Sequence, residues 1–241
     1  MCSGEKKNQM VERKMKLILE NWNKFINEES STLKDAAGEE YIIISRPDGK
    51  LVLISPEVME HISLHGKPGS GSIFSGTITP DMIMDFIEHR ANIADTGGFV
   101  PGDFPGGGYE LVKPMSWVKQ NLPNAVYTTT NKEEFSQEQG KMVPVPVLMV
   151  KTAEPIESFA TNETSVGIFK YDPARSSPEQ NNLIDSTEEL ATAAGAGRLF
   201  ALGTAFPGGF EIEGQPVPRV TEWGGTDPET AQWAVIMPQG A

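Results

Sequence analysis

Apolar residues Met15, Ile18, Leu19, Trp22, Phe25 and Ile26 recur at three- and four-residue steps between Val11 and Asn27, with Lys14, Lys16, Glu20 and Lys24 largely off that line. This is the period of one apolar stripe on an α-helix. The polar stretch 28–38 breaks the pattern, so residues 1–38 read as a helical arm with its linker and 39–241 as a single globular domain. Such a stripe either docks a helix on its own chain, the commoner use, or engages a partner protein.

Beyond the arm the pattern changes period. Tyr41 to Ile44 and Leu51 to Ile54 are aliphatic and β-branched and flank Arg46-Pro47-Asp48-Gly49, whose Pro and Gly suit a tight turn; together they predict a β-hairpin. Ser55-Pro56-Glu57 then offers an N-cap, a proline at the first helical position and an acid at the positive helix end, and a short helix is expected from Pro56 to His65. The same syntax at Thr79-Pro80-Asp81 opens a second helix, with Met82, Ile83, Phe86, Ile87 and Ile93 on one side, ending near Asp95. TGGFVPGDFPGGGY (96–109) reads as a long loop by its glycines and prolines. Strands are expected at Met142–Val150, Val166–Tyr171, Arg198–Leu202 and Trp233–Met237, and a capping box at Ser186-Thr187-Glu188-Glu189 starts a short helix that ends at the glycines 195 and 197. The fold class that follows is α+β, an antiparallel sheet carrying several short helices.

Charge narrows the function. The formal net charge of -13 opposes general nucleic-acid binding, which depends on Lys and Arg displacing counterions from phosphates. The sign is uneven: residues 1–34 carry a net +2, leaving -15 for the rest. The single cysteine, Cys2, allows no intrachain disulfide, and a cytoplasmic setting is the expectation, with a lipoprotein end at Cys2 as the alternative. No run approaches the length of a membrane-spanning helix, so no membrane association is expected.

The three histidines all fall between positions 61 and 89. His61 and His65, four apart, would share one face of the predicted helix, a spacing used by metal sites and by acid/base pairs. With His89 they make a candidate metal set, although His-Glu-x-x-His is incomplete because residue 62 is Ile. Without metal, the imidazoles could move protons at an RNA 2′-hydroxyl while Lys67 and Arg46 stabilise the developing charge. The commoner use of such histidines is to sit on a solvated helix face or to bond to neighbouring carbonyls, and the catalytic use is the minority one. The glycine-rich 96–109 segment lacks a Gly-Lys-Ser/Thr ending and contains Asp103, there is no calcium loop and no Gly-x-Ser-x-Gly elbow, so no cofactor is expected. Trp223, amid Thr221-Glu222-Trp223-Gly224-Gly225, reads as a lid over the core or, less commonly, a sugar-contacting loop.

Two resemblances add expectations. Lys14-Met15-Lys16-Leu17-Ile18-Leu19-Glu20-Asn21-Trp22-Asn23-Lys24-Phe25 resembles the start of predicted proteins of marine tailed bacteriophages, which implies a phage-type accessory or virion-associated protein acting through a protein partner, in the host cytoplasm or the virion. The run from Leu51 to Glu88, with its histidine-bearing helix, resembles ribonucleases of the barnase, EndoU and colicin group, which implies metal-independent RNA cleavage. The binding role leads; the ribonuclease and the histidine metal site are its alternatives.

Overall fold

The structure is a computed structural model that describes residues 31–63, 65, 71–76, 78–136, 138–139, 141–209, 211–212 and 215–240. The amino-terminal stripe from Met15 to Ile26 and Lys67 lie outside the described residues. In chain order the strands are β1 (Ser31–Lys34), β2 (Glu40–Ser45), β3 (Leu51–Ile54), β4 (Ser72–Phe74), β5 (Gly97–Glu110), β6 (Val112–Pro114), β7 (Val126–Ser136), β8 (Lys141–Pro155), β9 (Ala160–Lys170), β10 (Leu199–Pro207), β11 (Glu211–Ile212), β12 (Gln215–Pro216) and β13 (Trp233–Gln239). The helices are α1 (Pro56–Ser63), α2 (Pro80–Asp85), α3 (Met115–Asn121), α4 (Pro178–Ser186) and α5 (Glu188–Gly195). The protein is therefore α+β, but its sheets are mixed rather than antiparallel throughout: β3 pairs with β10, and β8 with β13, in parallel.

The described residues gather into two compact units, those of 31–63, 78–102 and 166–205 in the first and those of 65–76, 103–165 and 206–240 in the second. The chain changes unit inside β5, β9 and β10, so no linker composition marks the boundary.

In the first unit the strand order is β1-β2-β3-β10-β9-β5. The expected hairpin is there, with Ile42 opposite Ile54 and Ile44 opposite Val52. Its strands read as continuous aliphatic runs because both faces are covered. Tyr41, Ile43, Leu51, Leu53 and Leu199 pack against Leu183, Ile184, Leu190 and Ala193 of α4 and α5, and the alternate residues Ile42, Ile44, Val52 and Ile54 are buried too. Thr79 caps α2 by accepting from the Met82 amide at 3.4 Å, as its sequence promised. That helix runs on as a wider turn over Phe86–Arg90 and stops there, short of Asp95, with Ala91 extended. Arg46 accounts for the stop: its guanidinium donates to the carbonyls of Ile87 and, at 2.7 Å, Ala91, as basic groups at helix ends do. α4 begins on Ser177-Pro178-Glu179 with the Ser177 hydroxyl accepting from Gln180 at 3.1 Å, so the capping-box segment sits at the junction of two helices. Thr187, the cap of α5, donates its hydroxyl instead to the Leu183 carbonyl at 2.9 Å.

The 96–109 segment is a correction: it is strand β5, not a loop. Glycine serves there for close backbone approach rather than mobility. A Cβ at Gly97, whose φ is +71°, would lie 2.6 Å from the Lys170 amide nitrogen, and one at Gly107 would lie 2.8 Å from the Thr161 carbonyl.

The second unit holds a four-stranded sheet of order β6-β13-β8-β7, and β4 pairs antiparallel with the end of β5. One face of the sheet buries Leu148, Val150, Ala234 and Ile236 against Met115, Val118 and Leu122 of α3 and its end. The other face buries Val112, Val147, Val235, Trp223 and Trp233, with Val217 and Val220 packed beside them. The β7–β8 register sets Thr130 opposite Val147 and Lys132 opposite Val145. Paired residues share a side, so Lys132 and Glu134 point to the Trp223 face.

Candidate functional site

A cavity of about 440 Å³ opens on that face of the second unit, lined by the apolar Val112, Phe206, Pro207, Val217 and Trp223 and by the ionisable His65, Glu110, Lys132, Glu134 and Arg219. Its size is within the range of small-molecule pockets, as is the pattern of an apolar wall with a few convergent polar groups.

Lys132 is the group most altered by this setting. Its stem is partly buried and its Nζ sits 5.7 Å from the centre of the Trp223 ring. Gly71 makes room for it: a Cβ there would lie 2.6 Å from Lys132 Nζ and 2.5 Å from a Val112 methyl. Burial lowers the Lys132 pKa to about 8, because the charged ammonium loses water that nothing else replaces. Among the described residues neither Lys132 nor Arg219 takes part in an ion pair.

The carboxylates of the cavity, by contrast, are committed. Glu134 accepts from the Thr221 amide at 2.8 Å and from the Thr221 hydroxyl at 3.1 Å, which ties the 217–223 segment to β7. Glu110 accepts from Lys113 Nζ at 3.3 Å. Burial pushes the Glu110 pKa up, Lys113 pulls against that, and Glu163 adds to it. Trp223 is 2% exposed and donates its indole N–H to the Pro218 carbonyl at 3.1 Å, so it is a lid over the core as the commoner reading held. Trp223 and the 217–223 segment, joined to β7 through Glu134, form one wall of the cavity.

The residues singled out by sequence fare differently. His65 reaches this cavity, with Nδ1 3.0 Å from Ser72 Oγ and 3.3 Å from the Ser72 carbonyl oxygen, and its ring 6.0 Å from those of Phe74 and Phe206. It does not share a helix face with His61, because α1 ends at Ser63. The Ser63 hydroxyl donates to the Glu60 carbonyl at 2.6 Å at that helix end. His61 belongs to the first unit, as does Arg46, whose guanidinium is taken up by Ile87, Ala91 and an ion pair with Asp48 at 3.1 Å. His89 is half exposed and lies 3.5 Å from Glu88. Among the described residues no group of three or more His, Cys, Asp or Glu side chains could hold a metal ion. No helix among them is long and apolar enough to cross a membrane.

Sequence reasoning passed over Lys132, Glu110, Glu134 and Arg219. The available signal was the alternation in Val126–Ser136, where Thr128, Thr130, Lys132 and Glu134 fall on one side of a strand. Comparison of the chain with protein-family models, curated proteins and solved structures finds no match.

Proposed function

We propose that the protein acts by binding, and that its second unit takes a small anionic amphiphile, an aromatic or branched carboxylate, in the cavity beside Trp223. The observation that carries this reading is the imbalance among the cavity's charges. Lys132 and Arg219 have no ion-pair partner among the described residues, while Glu110 and Glu134 are engaged by Lys113 and Thr221. An anion entering the cavity restores to the Lys132 ammonium the interactions that burial removed, and the walls of Val112, Phe206 and Trp223 accept an apolar body. That a pocket with two uncommitted cations occurs in a chain of net charge -13 makes it a local feature rather than a general basic surface.

Titration with 4-methylbenzoate, followed by tryptophan emission and calorimetry, tests the proposal. Saturable binding that weakens at least tenfold in Lys132→Met supports it; binding unchanged by that substitution, or none at millimolar ligand, ends it.

RNA cleavage by His61 and His65 draws less support, since the Arg46 guanidinium is taken up by the carbonyls of Ile87 and Ala91 and by Asp48. The virion-associated role through Met15, Ile18, Leu19, Trp22, Phe25 and Ile26 rests on the resemblance of residues 14–25 to phage proteins and on the lack of a complete catalytic motif. A pull-down in which removing residues 1–34 leaves association intact would dismiss it.

A further inference from the structure

We propose that Lys132 is a carbonyl-capturing amine, forming a reversible imine with an aldehyde or 2-oxo group on a carboxylate-bearing ligand held in the cavity. This rests on the binding reading above and names the ligand class more narrowly. Three observations of geometry carry it. The Nζ borders a cavity large enough for a small organic molecule. It lies over the Trp223 ring at 5.7 Å and in the space left by Gly71, so it is held in a defined position rather than trailing in solvent. It has no carboxylate partner among the described residues, so attack by the nitrogen breaks no ion pair.

The chemistry balances without a redox partner. The neutral amine's lone pair forms the C–N bond as the carbonyl π pair moves to oxygen, and one proton passes from the nitrogen to that oxygen through solvent to give the carbinolamine. The carbinolamine then loses the nitrogen-bound proton and its hydroxyl, which leaves as water after taking a second proton from solvent. The net change is amine plus carbonyl to imine plus water. Only the neutral amine attacks, and desolvation favours that form. With a pKa of about 8, roughly a tenth of Lys132 is neutral at pH 7, against roughly one part in three thousand for an ordinary lysine. Arg219, on the same cavity, is the available partner for the ligand's carboxylate.

The test is reductive trapping of the full-length protein at pH 7 with 4-carboxybenzaldehyde and cyanoborohydride, followed by peptide mapping. Hydride from the reductant adds to the imine carbon and leaves a stable benzylated lysine. The expected result is modification of Lys132 at least tenfold faster than any other lysine, suppressed by excess 4-methylbenzoate and absent from that peptide in Lys132→Met. Adducts spread over surface lysines without preference for Lys132, in a protein that still binds 4-methylbenzoate, would overturn the imine and leave the binding reading standing. No preference and no binding would overturn both. Because mapping and competition are read on the wild-type chain, the decision does not depend on the variant folding.

Discussion

Replacing Lys132 with methionine, which keeps the length of the side chain and removes its charge, should make the second unit more stable at neutral pH. A fall from the ordinary 10.5 to about 8 is 2.5 units, and at about 1.4 kcal/mol per unit the folded protein disfavours the ammonium by about 3 kcal/mol. The contact of the ammonium with the Trp223 ring is contained in that difference, so the variant should gain about 3 kcal/mol at pH 7. The sign with pH follows from linkage. The folded state holds this proton less tightly than the unfolded chain, so the contribution to stability is fully present above pH 10.5 and is lost as pH falls through about 8. The advantage of the variant is therefore largest below pH 8 and shrinks steadily toward pH 10. Urea unfolding followed by tryptophan emission is the assay, since Trp117, Trp223 and Trp233 all belong to the second unit. A variant no more stable than the wild type at pH 7, or one whose advantage is the same at pH 7 and pH 9.5, would refute the reasoning.

Glu134→Ala removes both acceptors for Thr221 and should cost about 2 kcal/mol, with faster amide exchange at residues 219–223 and weaker 4-methylbenzoate binding; unchanged exchange there would show that the segment is held by other contacts. Glu110 has a raised folded pKa, so its contribution is present below the ordinary carboxylate range and lost as pH rises through the folded value; Glu110→Gln should gain on the wild type between pH 4 and pH 7 in urea midpoints, and the opposite slope would contradict the burial of that carboxyl. Gly97→Ala sets a Cβ at positive φ against the β9 backbone and should destabilise the first unit by at least about 2 kcal/mol, read by circular dichroism; a neutral effect would mean that β5 can shift away.

How far the sequence discloses this molecule depends on where each residue's partners lie. The β2–β3 hairpin is legible because Tyr41–Ile44 and Leu51–Ile54 are apolar on both faces and Pro47-Asp48-Gly49 turns the chain locally. The start of α2 is legible because Thr79 caps it within three residues. β5 is not, because glycine has the same composition in a mobile loop and in a strand pressed against the backbone of Thr161 and Lys170; only the distant partner decides. The histidine pair is not carried on one helix, because α1 ends at Ser63, two residues before His65. The cavity is the least legible feature, since its walls come from five segments between His65 and Trp223. Lys132 stands in the run Asn131-Lys132-Glu133-Glu134, which reads as solvated charge until the register with β8 turns it toward Val147 and Trp223.

The most direct test of the account is an NMR titration of the Lys132 side chain, following its ε-carbon and Nζ from pH 6 to pH 11 with and without 4-methylbenzoate. The expected result is an apparent pKa of about 8 in the free protein and a rise when the anion is bound, because a nearby negative charge favours the ammonium. An apparent pKa at the ordinary lysine value, unmoved by the ligand, would contradict the claim that this cavity holds a desolvated amine waiting for an anion.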